Sequence, residues 1–267
     1  MVTEQQSEKQ DGVVQYLEKV TQLQRTVVAE QRGMLCEIAA KMAEVIASEG
    51  RIFLFGTGHS HILTEEAYFR AGGVAAAVPM FRPMILMLHE GARMSSHLER
   101  VPELATGILD DYAPEVGELL FVYADSASNA LPVQMAIEAR ERGVVVVGIG
   151  SLKYARVAPM SVVGKKLDEV VDYFVDNGGT PGDALIELPD VRWRVAASST
   201  VVGATIWNCL LTETVRRLAR TMEDVPVFAS FNMEGAPDHN EDVLRRWSRI
   251  NPHLPAHGLE KGVGELD

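Results

Sequence analysis

Five short, near-continuous apolar runs, separated by stretches long enough for a helix, constrain this chain more than any other feature. They are RIFLFG (51–56), VAAAVP (74–79), ELLFVYAD (118–125), GVVVVGIG (143–150) and EVVDYFVD (169–176). A strand covered on both faces has no polar alternation, so such runs are expected of a buried sheet. Connections of crossover length make the neighbouring strands parallel. The expected fold is therefore α/β, a three-layer αβα sandwich around a five-stranded parallel sheet of doubly wound, flavodoxin-like type.

Helical periodicity brackets this core. Val14, Leu17, Val20, Leu23 and Val27, then Leu35, Ile38, Met42 and Val45, predict a long amphipathic helix from 13 to about 48, with Gly33 marking a break or kink. Such a helix packs either on its own domain or on a neighbouring subunit. A second long helix is expected within 193–222, where Ile206, Leu210, Leu211, Val215 and Leu218 recur at helical spacing. Residues 176–189, rich in Gly, Pro and Asp, read as an irregular loop. The organisation expected is a disordered start (1–12), a single domain (13–250) and a flexible tail (251–267) whose Pro and Gly show no periodicity.

The net charge of −12 opposes a general role in nucleic-acid binding, which needs a concentrated basic surface. The first 50 residues are too short and too acidic for a helix-turn-helix module. No apolar run is long enough to span a bilayer, and the polar start lacks the regions of a secretory signal, so a cytoplasmic location is expected. Cys36 and Cys209 lie far apart in helical patterns and read as core residues.

In open parallel sheets, ligands sit beyond the carboxyl ends of the strands. The first such end is Gly56-Thr57-Gly58-His59-Ser60-His61, where glycine permits close backbone approach and hydroxyls and free N–H groups can donate to an anion. A tight strand-to-helix connection is the plainer alternative. The third run ends in Asp125-Ser126-Ala127-Ser128-Asn129, which can cap a helix or face the same crevice. Ser198-Ser199-Thr200, opening the late helix, leaves the same two options. A dinucleotide fingerprint would need a glycine where His61 stands. His59 and His61 do not share a helix face, so neither a metal nor a cofactor is assigned to the pair or to its fellow histidines His89 and His97.

Together, GTGHSH, TEEAYFRAGG, LHEGARMSSHLER, GKKLDEVVDYFVDNGGTPGDAL, SSTVVGA and DHN resemble the sugar isomerase (SIS) domain family, in its standalone members, over about 50–250. More distant resemblances are to N-acetylmuramic acid 6-phosphate etherases and phosphoheptose isomerases. The resemblance implies a homodimer or homotetramer with active sites near subunit contacts and a small-molecule ligand, a sugar phosphate or related carbohydrate derivative. It places Gly56, Thr57, Gly58, His59, Ser60 and His61 in the first ligand turn, Ser126, Ser128 and Asn129 in the second, and Ser199 and Thr200 in a phosphate-holding hydroxyl pair. Relatives commonly read Ser-Asn-Ser-Gly-x-Asn where this chain reads Ala124-Asp125-Ser126-Ala127-Ser128-Asn129. A carboxylate there repels phosphate unless it turns away or a cation intervenes.

The expected activity is aldose–ketose isomerisation, with a related lyase or a non-catalytic sensor as the alternatives. Proton removal beside a carbonyl needs a partly desolvated base. Glu90, within His89-Glu90-Gly91-Ala92, resembles the etherases' Glu-Gly-Ala segment and is the first candidate. Glu65 and Glu66 on the first crossover helix are alternatives, and His239, in Asp238-His239-Asn240, either joins a site or anchors the last helix.

Overall fold

A computed structural model of the chain describes residues 11–82 and 91–255. Helix α1 (Gly12–Ala47) leads into strand β1 (Ile52–Gly56), a 3-10 turn (Gly58–His61) and helix α2 (Ile62–Ala67). Strand β2 (Ala77–Pro79) follows, then α3 (Ala92–Leu98), α4 (Leu104–Tyr112), β3 (Leu119–Tyr123), α5 (Ala130–Glu141), β4 (Val145–Gly150) and α6 (Leu152–Val157). A second 3-10 turn (Leu167–Glu169), β5 (Tyr173–Asp176), α7 (Ser199–Leu218) and α8 (Ala236–Trp247) complete the order.

The five expected strands form one parallel sheet in the order β2-β1-β3-β4-β5. Each is shorter than its apolar run. Only the last three residues of 74–79 pair as β2, because Val74 instead bridges Val227 in antiparallel fashion. In 169–176, Glu169 ends a 3-10 turn and β5 begins only at Tyr173.

Alternate side chains of the strands feed two apolar layers, as the pleat requires. Ile52, Leu54, Leu119, Phe121, Val147 and Val175 face α1, α2 and α7, while Phe53, Phe55, Leu120, Val122 and Val146 face α4, α5 and α6. Burial on both faces explains why the runs show no polar alternation.

Helix α1 runs through Gly33 without a break: the residue is exposed, and an added Cβ would meet nothing within 4 Å. A glycine lowers helix propensity but cannot outweigh the tertiary packing on either side. From Val20 onward the apolar stripe of α1 is buried on its own domain, against α7 and the sheet. Val13 and Leu17 in the first turns stay exposed.

Residues 251–255, expected to begin a flexible tail, are packed. Asn251 is fully buried, its Nδ2 donating to the Ala75 and Ala77 carbonyls at 3.1 and 2.7 Å. Leu254 joins the core beside α8.

Candidate functional site

The strand order reverses between β1 and β3, so the crevice of an open α/β sheet falls where Gly56 and Tyr123 end side by side. At Gly56 the chain folds back so tightly that a Cβ would lie 2.6 Å from the Ser60 carbonyl oxygen. Gly58 takes φ +56, in the left-handed region that favours glycine. The turn leaves Thr57 buried, with Oγ1 donating to Glu99 Oε2 at 3.3 Å. His59 is exposed and His61 buried, the latter packing against Phe81 with its Nε2 3.4 Å from Glu65 Oε1. The two imidazoles thus diverge. Among the described residues no group of His, Cys, Asp and Glu is arranged to hold a metal.

In the second turn Ala127 adopts φ +51, in the left-handed region, and closes the turn through Ala127 N–H to Ala124 O at 2.8 Å. Ser128 is buried: its hydroxyl donates to the Pro159 carbonyl and accepts from Lys166 Nζ at 2.9 Å. It therefore braces the 158–159 segment. Ser126 and Asn129 line a cavity of about 350 Å³ beyond the turn.

Between the two turns lies Glu99, just after α3. It accepts the Thr57 hydrogen bond on one side and one from the Asn129 side chain on the other, and its own carbonyl accepts from Leu131 N at 3.0 Å. Burial lifts its carboxyl above the usual carboxylate range, offset in part by the adjacent Arg100 and by hydrogen bonds from Thr57, Arg100 and Asn129. Of the described carboxylates, Glu99 alone touches both turns. Sequence reading missed it. Nothing local separates it from the other glutamates nearby, and its partners lie 42 and 30 positions away.

Ser199 and Thr200 open α7, and Ser199 is engaged within the chain. The start of α7 already holds an anion, the carboxylate of Asp183: Oδ1 accepts from the backbone N–H groups of Ser198 and Ser199 at 3.0 and 2.8 Å, and Oδ2 accepts from Ser199 Oγ at 2.5 Å. An aspartate at a helix N-terminus satisfies orphan N–H donors and complements the helix dipole. It reaches there from a loop 15 residues upstream.

Asp125 lies on the same side. Its Oδ1 accepts from Asn177 Nδ2 at 2.7 Å, while Oδ2 is buried with no hydrogen-bond partner among the described residues. Its pKa is raised to about 6, chiefly by burial; Asn177 pulls it down, and the charges of Asp183 and Asp176 push it up.

The remaining candidates among the described residues make other contacts. Glu65 is exposed beside His61, and Glu66 pairs with Arg70. His239 stands on α8, its Nε2 2.8 Å from the Val227 carbonyl oxygen. Val227 bridges Val74, ahead of β2 and so at the amino ends of the strands, and within this chain His239 anchors the last helix. Glu90 and His89 lie outside the described residues.

An open parallel sheet of order 2-1-3-4-5 with small-residue turns meeting at its switch point defines a ligand-binding α/β domain, and the chain belongs to the SIS domain family, which it matches over residues 15–151. Within that family its relatives include the UPF0309 protein of Halalkalibacterium halodurans, 38% identical over 249 residues that make up 93% of this chain and 99% of the relative. The UPF0309 protein of Geobacillus kaustophilus is 39% identical over 87% of this chain and 91% of its own length. Among solved structures, the chain is similar to phosphoheptose isomerase GmhA from Neisseria gonorrhoeae, at 13% identity and TM-score 0.48, over 76% of this chain and 97% of that one.

Proposed function

We propose that the chain binds a sugar phosphate or related carbohydrate derivative across the carboxyl ends of β1 and β3, and interconverts aldose and ketose forms by carboxylate-mediated proton transfer. The observation that carries this reading is Glu99, a half-buried carboxylate in contact with both turns at the switch point of a SIS-family sheet. A base at this place is partly desolvated, and its raised pKa brings it nearer the range in which it can accept a proton and return it. Thr57 and Asn129 hold the carboxylate in register with any ligand lying over the turns. Glu90, the candidate drawn from the etherase-like segment, is the rival for the same role.

The test is solvent deuterium exchange at the carbon beside the carbonyl, with a panel of hexose, hexosamine and pentose phosphates. Exchange is expected with at least one member and is expected to fall by roughly 100-fold or more in Glu99→Gln. Loss in Glu90→Gln with full activity in Glu99→Gln would move the role to Glu90. Thermal stabilisation by a sugar phosphate, with no exchange in the wild type, would replace the isomerase by a sensor.

We also read the chain as a homo-oligomer. Support comes from the exposed Val13 and Leu17 near the start of α1 and the exposed Leu188, Val191 and Trp193, two regions joined by the Tyr16 hydroxyl donating to the Ala197 carbonyl at 2.9 Å.

A further inference from the structure

Carboxylates crowd the back of the second turn: Asp125 faces Asn177, Asp176 Oδ1 accepts from Leu152 N at the start of α6 at 3.1 Å, and the amides and hydroxyls at the start of α7 that could greet an anion already hold Asp183. On the α5/α6 side the second turn backs onto the cavity of about 350 Å³, closed by Tyr154 and by residues 158–162. Arg100 lines this cavity. Its Nη1 is committed to Ser96 and Glu99, but among the described residues Nε and Nη2 make no hydrogen bond. Those two N–H groups form the side of the guanidinium that matches a phosphate or carboxylate in bidentate fashion.

Two further observations point the same way. Ser161, also in the wall, has a buried hydroxyl without a partner among the described residues. Behind the turn, the Lys166 ammonium is buried and, among the described residues, donates to neutral oxygens: Ser128 Oγ at 2.9 Å and the Ala158 and Pro159 carbonyls at 2.7 and 3.2 Å, with no described carboxylate paired to it. A buried cation without a counter-ion is costly, and it favours an anion in the adjoining space.

We propose that this cavity is the anion subsite: Arg100 holds a phosphate monoester there, with Ser126, Tyr154 and Ser161 as further donors and Lys166 as the charge behind the wall. The inference rests on the sugar-phosphate reading and sharpens it, since it assigns the phosphate to the α5/α6 side and the hydroxyl-bearing carbons to Thr57 and Glu99. It also answers the misfit at Asp125. Asp125, Asp176 and Asp183 are not among the residues that line this cavity, and the Asp125 carboxylate is turned to Asn177.

Calorimetric titration tests it with two probes, inorganic phosphate and a panel of hexose and hexosamine 6-phosphates, on the wild type, Arg100→Gln, Ser161→Ala and Ser199→Ala. Circular dichroism confirms that each variant is folded. Binding of both probes is expected to weaken about 10- to 100-fold in Arg100→Gln, as for a lost charge-assisted pair, and several-fold in Ser161→Ala. Sugar-phosphate affinity unchanged in Arg100→Gln, or lost in Ser199→Ala instead, would overturn the subsite and leave the sugar-phosphate reading standing. Arg100-dependent binding of inorganic phosphate with no binding of any sugar phosphate would overturn the sugar reading and keep the subsite. If the wild type binds neither probe, both are overturned.

Discussion

Between about pH 4 and pH 6 the Asp125 carboxyl keeps a proton in the folded chain that it releases in the unfolded one, because burial and the charges of Asp183 and Asp176 raise its pKa from 3.8 to about 6. The folded state binds more protons across that window, so stability falls as pH rises through it. Asp125 therefore contributes most below pH 4, and its contribution is gone above about pH 6. A shift of this size corresponds to roughly 3 kcal/mol, reduced by about 1 if an amide nitrogen replaces Oδ2 without finding an acceptor. Asp125→Asn keeps an oxygen for Asn177 and removes the repulsion. It is expected to be more stable than the wild type at pH 7.5 by about 2 kcal/mol, and its stability should lose the decline between pH 4 and 6. Urea titrations at pH 4.5, 6 and 7.5 read both effects, and a parallel decline in the variant would show that another group is responsible.

At the scale of elements, the sheet was readable because a strand buried on both faces leaves an unmistakable apolar run, and crossover-length gaps admit only parallel pairing. Helix α1 was readable in its stripe but not at Gly33, since a single glycine signals a break by propensity while packing at Val27 and Leu35 on either side holds the helix together. Replacement of Gly33 tests that account directly. The position is exposed and open, so Gly33→Ala adds helix propensity without a clash and is expected to stabilise the protein by about 1 kcal/mol, seen as a higher urea midpoint at constant slope. Destabilisation would mean that α1 needs a bend there. The site was readable only in part, for a related reason. The turns after β1 and β3 announce themselves by local composition. Glu99 meets Thr57 from 42 positions away, Lys166 meets Ser128 from 38 away and Asp183 meets Ser198 from 15 away, and no local pattern distinguishes them from solvated charges.

Across the whole molecule, the open edges of the sheet must be closed as well as its faces covered, and the chain does this at β2 with residues that read as a tail. Carbonyls from Ala75 to Ala77, leading into β2, point alternately outward and inward. Ala76 O accepts from Ile52 N within the sheet, while Ala75 and Ala77 turn theirs outward to Asn251. One side-chain amide thus takes the place of the next strand, and the unpaired edge that would otherwise template association is blunted. The same segment presents His253 to Phe81 and Tyr112, and Phe81 in turn packs on His61 at the first turn, so edge closure and site shape share one aromatic cluster. Asn251→Ala removes both hydrogen bonds and leaves two buried carbonyls bare, at a cost of about 2–4 kcal/mol. A lower urea midpoint is expected, together with light scattering that rises with protein concentration as β2 becomes available for pairing. Aspartate at the same position offers no N–H to the two carbonyls and is expected to be at least as destabilising. Serine, too short to span both, should recover little. A wild-type midpoint in Asn251→Ala would show that α8 and Leu254 hold the edge without the amide.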